Sequence, residues 1–275
     1  MSNPRRALVL GSGGATGIAW ECGVLAGLAD AGLPLDADLV VGTSAGALVG
    51  ARLATGWSAE QLYAAARAPA ARAGRLGAGA LARLLAAQVY PSRRHALAWL
   101  GRLAERGWSP GAEQRWVAAL APDLAGRDWP RQLVIVATEA ASGRPAYFSA
   151  TAPADLAAAV AASCAMPGVF PAVRVGGRLH LDGGLRSPLN LDLAAGAAAV
   201  VALAPLTGAL RAQRRPAEQR RVLNGALALL RPDAASRRAI GTDLLDPERG
   251  RRVAAAGRAQ GRLAGARLGG RWPGG

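Results

Sequence analysis

The stretch Asp38-Leu39-Val40-Val41-Gly42-Thr43-Ser44-Ala45-Gly46-Ala47-Leu48-Val49-Gly50-Ala51 decides how this chain folds. A short apolar strand at 38–41 runs directly into a G-x-S-x-G sequence at 42–46, and helix-forming residues continue to about Ala54. Gly42 and Gly46 let the backbone turn sharply, so the Ser44 side chain projects from the end of a strand. The helix that starts behind it presents unpaired N–H groups and a positive dipole end, which favour negative charge developing at that point. Strand, sharp turn and helix together are the context of a nucleophile elbow.

Upstream lies a second strand–loop–helix unit. Ala7-Leu8-Val9-Leu10 reads as a buried strand, followed by Gly11-Ser12-Gly13-Gly14-Ala15-Thr16-Gly17 and an apolar helix from Gly17 to Ala31, closed by Gly32 and Pro34. The amides of such a loop form a nest for an anion. Two uses compete. A dinucleotide cradle needs G-x-G-x-x-G and an acid about twenty residues on; the spacing works only with Ser12 in place of the first Gly, and Asp36 and Asp38 stand near the required distance. The other use is an oxyanion hole beside Ser44, since both loops leave the C-terminal ends of neighbouring strands.

Downstream, Leu133–Ala137 and Val200–Leu203 read as buried strands, and 173–175 with 179–181 as a hairpin turning at Gly176-Gly177. Strands alternating with helices predict an α/β fold, a three-layer α/β/α sandwich with a mainly parallel sheet. Residues 58–128 contain no strand pattern; Leu81, Leu84, Leu85 and Val89, then Leu97, Leu100 and Leu103, recur at helical spacing and predict a helical, cap-like insertion. Residues 211–275 are rich in Arg and Ala and read as a helical extension with a loose tail, outside a domain spanning 1–210.

A serine nucleophile needs a base. The two histidines are His95, inside the Arg-rich helical segment, and His180. Asp155 reads as a helix cap. Asp182 opens Asp182-Gly183-Gly184 immediately after the hairpin strand, where glycines hold a carboxylate at a loop. His180, two positions earlier on the same strand face, reads as structural. Glu21 reads as an acid favouring the N-terminus of the first helix, and Cys22 and Cys164 as small buried residues. Trp99, Trp108, Trp116 and Trp129, interleaved with Arg, fit either core packing or a membrane-facing cap.

Gly13-Gly14-Ala15-Thr16-Gly17, Gly42-Thr43-Ser44-Ala45-Gly46 and Asp182-Gly183-Gly184, in that order, resemble the three signatures of patatin-like phospholipases. Ser163-Cys164-Ala165-Met166-Pro167-Gly168-Val169-Phe170-Pro171 resembles the segment that precedes the Asp strand in that family. The resemblance spans about 5–206. It implies a Ser–Asp dyad without His that hydrolyses acyl esters of lipids, with Ser44 as nucleophile, Asp182 as base and the loop at Gly13, Gly14 and Ala15 supplying oxyanion donors. Two positions depart from the family pattern: Ser12 stands where Gly is usual, and Thr16 where Arg or Lys is usual. The loss of that cation removes one expected contact to a phospholipid headgroup. Alternative readings are a nucleotide-binding oxidoreductase built on the first glycine loop and a catalytically idle lipid-binding relative.

Composition narrows the field further. Two cysteines in 275 residues exclude a disulfide scaffold and Cys-rich zinc modules, and two histidines leave little for a His-based metal site, so no metal or cofactor is expected. All 33 basic residues are Arg, against 18 acids, for a formal net charge of +15. Residues 211–275 carry 15 Arg and 5 acids, so the excess sits mainly in that segment. Aromatic residues are only 4%, too few for a stacking-rich basic surface, so no nucleic-acid partner is expected. Two readings of the basic C-terminal segment stand side by side, peripheral contact with anionic membrane and a solvated Arg-rich face, with a catalytic core expected to be complete by about Pro232. No stretch reads as a signal peptide or membrane span, which predicts a cytoplasmic protein.

Overall fold

The structure, a computed structural model, describes residues 6–69, 74–75, 77–90, 92–151, 154–206, 213 and 216–268. In chain order the first half contains β1 (Arg6–Leu10), α1 (Gly14–Asp30), β2 (Leu39–Thr43), α2 (Ala45–Ala54), α3 (Ala59–Arg67), α4 (Ala78–Ala86), α5 (Arg93–Arg106) and α6 (Pro110–Leu120). The second half contains β3 (Leu133–Glu139), β4 (Pro145–Phe148), α7 (Leu156–Ser163), β5 (Val173–Val175), β6 (Arg178–Asp182), β7 (Ala199–Leu203), α8 (Pro216–Gln219), β8 (Ala226–Leu230), α9 (Ala234–Ile240) and α10 (Gly250–Leu268). One sheet runs in the order β5-β6-β3-β2-β1-β7-β8, with β4 also pairing β3. The pairs among β3, β2, β1, β7 and β8 are parallel, and those of β3 with β4 and β6, and of β5 with β6, are antiparallel. The expected α/β class, a mainly parallel sheet flanked by helices, is what forms.

The central strands read as unbroken apolar runs because both faces are buried. On β1, Leu8 and Leu10 pack with Trp20, Leu25 and Leu28 of α1, Leu48 of α2 and Val160 of α7. Ala7 and Val9 face the other way, with Val41, Val136, Val200 and Ala202. That second face is closed by Leu191 on a short 3-10 turn, with Leu189 before it and Leu223 just after another, rather than by long helices.

Between 58 and 128 the described residues form only helices and turns. In α4 and the 3-10 turn that follows it, however, the helical spacing does not mean burial throughout: Leu84 is buried, while Leu81, Leu85 and Val89 are exposed. Of the four tryptophans, Trp116 is buried and stacks on Phe170 at 4.0 Å between centroids, and Trp129 donates to the Leu133 carbonyl at 3.0 Å, both as packing residues.

The expectation of a helical extension from 211 onward is corrected at β8. Ala226-Leu227-Ala228-Leu229-Leu230 favours a helix by propensity, but the open edge of β7 takes it as a parallel strand over five residue pairs. α10 is equally part of the fold. It lies on α1 so closely that a Cβ at Gly23 would meet the Ala254 carbonyl oxygen at 2.2 Å, and one at Gly27 the Arg258 oxygen at 2.1 Å. Gln260 fastens the contact: its Oε1 accepts from Trp20 Nε1 at 3.0 Å and Ser236 Oγ at 2.9 Å, and its Nε2 donates to the Arg231 carbonyl at 2.6 Å. Arg258 and Arg262 both pair with Asp30, the last residue of α1, each at 2.7 Å.

Gly27 lies well away from the glycine loop, so Gly27→Val is expected to push the two helices apart and cost roughly 1–3 kcal/mol or more. A lowered thermal midpoint by circular dichroism would show it. A chain ending at Pro232 is expected to lose cooperative melting altogether, and an intact sharp transition would refute the integral role of α10.

Candidate active site

Strand register brings the site together. Thr43, the last residue of β2, pairs with Val136 of β3. Asp182, the last residue of β6, pairs with the next β3 residue, Ala137. The residue after Thr43 therefore arrives at the level of Asp182, and Ser44 Oγ donates a hydrogen bond to Asp182 Oδ2 at 2.8 Å. Ser44 adopts φ 54°, ψ −117°, in the region that L side chains rarely enter. The strain is held from several sides. The Ser44 amide donates to Ser163 Oγ at 2.8 Å, and that hydroxyl donates on to the Val136 carbonyl at 2.6 Å. The Gly46 amide donates to the Gly11 carbonyl at 3.0 Å, an approach only glycine permits, since a Cβ at 46 would sit 2.3 Å from the Leu10 carbonyl.

Asp182 is almost wholly buried. Its Oδ1 accepts the Gly184 amide at 2.7 Å, its carbonyl accepts Thr138 Oγ1 at 3.1 Å, and its amide donates to the Ala165 carbonyl at 3.0 Å. Burial pushes its carboxyl up to about 7, against the opposing pull of the hydrogen bonds from Ser44 and Gly184. A carboxyl tuned to that range carries its negative charge reversibly near neutrality, as a general base must.

The loop of Gly13, Gly14 and Ala15 faces the same space. α1 begins at Gly14, three residues earlier than the spacing predicts, so these amides are the unpaired N–H groups of its first turn. Gly14 has φ +62°, and none of the three amides has a partner among the described residues. Gly17 closes the turn, donating to the Gly13 carbonyl at 2.9 Å. Glu21 does not sit in the first turn of the helix, as its position suggested. It lies fully buried beneath the loop, accepting the Gly11 amide at 2.8 Å, and burial pushes its carboxyl well above the usual range.

Ser44, Asp182 and the glycine loop open onto a cavity of about 400 Å³. Its remaining walls are largely apolar, among them Ile18, Leu84, Trp116, Met166, Val169 and Phe170. Two polar contributors were given no part in the site by the sequence reading. Ser12 Oγ is buried in the wall without a hydrogen-bond partner. Residues 242–245 and Pro247 form another side, where the Leu244 carbonyl accepts the Thr16 amide at 3.1 Å and Thr16 Oγ1 at 3.3 Å. No motif marks this loop. It overturns the expectation of a site completed before Pro232, because the segment beyond it both walls the cavity and fastens the glycine loop.

The rival residues fall elsewhere. Asp38 accepts the Arg6 amide at 2.9 Å and Asp36 pairs with the Arg6 guanidinium, at the opposite ends of β1 and β2 from the glycine loop, so neither stands beside it as a ribose acid. His180 is buried edge-on to Phe148 at 5.1 Å, and burial lowers its proton affinity. His95 meets Ser92 at 2.6 Å on the exposed start of α5. Asp155 caps α7 through the Ala158 amide at 2.7 Å. Cys22 is buried with its thiol pushed up to about 12. Cys164 lines the cavity beside Ser44, and burial, with Asp182 nearby, pushes its thiol well up. Among the described residues, no group of three or more His, Cys, Asp or Glu could hold a metal. No helix there is long and apolar enough to cross a membrane.

The sequence model described as patatin-like phospholipase matches residues 8–195, more than half of the chain, across every strand that carries the site. The chain belongs to the patatin-like phospholipase family. Members of this family are lipases and phospholipases. No curated protein matches the sequence. Among solved structures, VipD from Legionella pneumophila aligns with a TM-score of 0.39 and 15% identity, over 73% of this chain and 50% of VipD. The type III effector protein ExoU aligns with a TM-score of 0.43 and 18% identity, over 96% of this chain and 53% of ExoU. This patatin-like chain thus spans about half the length of each. The wall at 242–247 lies beyond the region that the family model matches.

Asp182 holds its proton more tightly in the folded chain than an unfolded carboxylate does. Between the ordinary carboxylate range and about pH 7, the folded state therefore binds more protons, and this group's contribution to stability falls as pH rises. Asp182→Asn removes the buried charge, so at about pH 8 this variant is expected to melt higher than the wild type, with the difference vanishing at about pH 4. Equal melting temperatures at both pH values would contradict the buried-carboxylate assignment.

Proposed function

We propose that this chain is a serine acyl-ester hydrolase that cleaves lipid or similarly hydrophobic esters with a Ser44–Asp182 dyad. The observation that carries the reading is the 2.8 Å hydrogen bond from a strained, elbow-mounted Ser44 to a buried carboxylate at the floor of an apolar cavity. Membership of a family of lipid acyl hydrolases agrees with it.

In this reading an acyl chain lies along the wall of Ile18, Trp116, Val169 and Phe170, with its ester carbonyl over Ser44. Asp182 takes the proton from Ser44 Oγ as that oxygen bonds to the carbonyl carbon. The carbonyl π electrons move to oxygen, and the amides of Gly13, Gly14 and Ala15, backed by the positive end of α1, stabilise the oxyanion. Collapse breaks the ester C–O bond, and the leaving alcohol takes the proton back from Asp182. Water then repeats the sequence: Asp182 accepts its proton, the hydroxide oxygen bonds to the acyl carbon, and the Ser44 C–O bond breaks. Ser44 regains the proton and the fatty acid departs. Backbone donors serve regardless of the side chain at Thr16, so its lack of charge leaves the oxyanion role intact. It bears only on recognition of a headgroup.

Ser44→Ala is expected to abolish hydrolysis of p-nitrophenyl esters and labelling by a fluorophosphonate, with the melting curve little changed. Retained turnover would remove Ser44 as nucleophile. Asp182→Asn is expected to slow turnover by on the order of 10²–10⁴-fold, and His180→Ala by less than about tenfold. Equal losses would bring His180 into the mechanism. The base works only when ionised, so wild-type kcat/KM on a soluble ester is expected to rise with pH through a midpoint near the value of about 7 at which Asp182 titrates. A profile flat from about pH 5 to 9 would exclude Asp182 as the base.

A further inference from the structure

The two faces of α4 have different surroundings. Ala80, Leu84 and Ala87 turn inward: Ala80 abuts Gly168, and Leu84 forms part of the cavity wall. Leu81, Leu85 and Val89, spaced four apart and hence on one side of the helix and the turn that continues it, are 47%, 55% and 83% exposed. Among the described residues these are three of only six large exposed apolar side chains, the others being the scattered Tyr147, Val222 and Leu263. Isolated exposed leucines mean little, but an apolar stripe on the helix that separates a hydrophobic cavity from solvent is a candidate contact surface.

Charge around the stripe points to one kind of occupant. Residues 61–104 contain seven Arg and no Asp or Glu. Arg75, Arg83, Arg93 and Arg94 are exposed within this stretch, with Glu218 approaching Arg93 at 3.9 Å. Exposed apolar side chains within an arginine-rich, acid-free stretch suit a surface that is apolar below and anionic above, which is the chemistry of an anionic lipid assembly. Two of the five arginines of α10 are less well placed. Arg258 and Arg262 are engaged with Asp30, and Arg258 also with Glu60 at 2.9 Å, at the end of α1 remote from the glycine loop.

We infer that Leu81, Leu85 and Val89, with the arginines around them, dock this protein onto the surface of an anionic lipid assembly and hold the cavity wall against it. The inference rests on the lipid acyl hydrolase reading for its biological sense and on exposure and charge for its physics. A lipid chain leaving the assembly beside α4 passes Leu84 toward Ser44 without crossing bulk water. The contact is peripheral: helix and turn lie along the interface, their apolar side chains entering it and the guanidinium groups meeting phosphates.

Flotation with vesicles of phosphatidylcholine and phosphatidylglycerol tests it. The full chain is expected to float with these vesicles, and less with phosphatidylcholine alone. The double variant L85S/V89S changes only exposed side chains; it is expected to lose roughly tenfold in bound fraction while hydrolysing a soluble p-nitrophenyl ester at the wild-type rate. The variant R251Q/R252Q/R267Q on α10 is expected to float as the wild type does. Wild-type protein that stays with the unbound fraction overturns the inference, as does L85S/V89S that floats undiminished, or binding lost only in the α10 variant. Wild-type protein that floats in a stripe-dependent way but cleaves no ester supports the docking while removing the hydrolase reading.

Discussion

Strand β3 divides its length between two of its partners, β2 pairing with its first half and β6 with its second, while β4 pairs across its middle. That division makes the C-terminal ends of β2 and β6 converge on one point, and the candidate site is what stands there. A serine in a left-handed conformation costs on the order of 1–3 kcal/mol. The surroundings that offset it are all consequences of the same pairing. Ser163, at the end of α7, reaches the Ser44 amide because α7 packs on β3 and can also bond the Val136 carbonyl. Gly46 reaches the Gly11 carbonyl because β1 and β2 are adjacent and parallel. A slip of one residue between β3 and β6 would turn Asp182 to the other face of the sheet and leave the elbow without its acceptor.

Asp182 stands apart from the chain's bulk electrostatics. The protein carries a net charge of +15, yet no arginine enters the environment that sets the Asp182 carboxyl. An arginine beside it would hold the carboxylate ionised and make it a poor proton acceptor. Burial with two hydrogen-bond donors does the reverse, keeping the proton exchangeable near neutral pH. Glu21, buried beneath the glycine loop with one oxygen unpartnered, belongs to the same economy of uncompensated acids on the inner side of the loop. The contribution of each group to stability falls as pH rises, and for Asp182 it does so over the range in which the proposed base becomes ionised.

The sequence made the central features legible because they depend on local rules. Gly-x-Ser-x-Gly after an apolar strand, a glycine loop after another, and Asp-Gly-Gly after a hairpin each place a residue by backbone geometry within a few positions. The strands flanking those motifs could be read from unbroken apolar runs, since a strand buried on both faces has no alternative composition. What could not be read depends on tertiary contact. Ala226–Leu230 has the residues of a helix and became β8 because β7 offered an unfilled edge. The short β4, beginning at Pro145, had too little pattern to register. The cavity wall at 242–247 has no motif because much of its contribution is a backbone carbonyl, that of Leu244, which any residue would supply. Glycines 257 and 261 belong to no motif, yet they are where α10 meets α1.

The arginines show why counts mislead where placement decides. The C-terminal segment holds the greatest excess of positive charge, and that excess suggested the face turned toward an anionic partner. In the fold, Arg258 and Arg262 converge on Asp30, whose carboxyl they hold well below the usual range, and Arg258 also lies over the Tyr63 ring at 4.5 Å. Such partly exposed pairs contribute modestly to stability, but they occupy the guanidinium groups all the same. The stretch around α4 has fewer arginines, but residues 61–104 hold no acid of their own, and Glu218 approaches Arg93 from outside it. An anionic interface responds to the local excess it can reach, within about 10 Å at moderate salt, rather than to the total for the chain. By that measure the exposed arginines near α4 weigh more in the proposed docking than the net charge of the whole chain does.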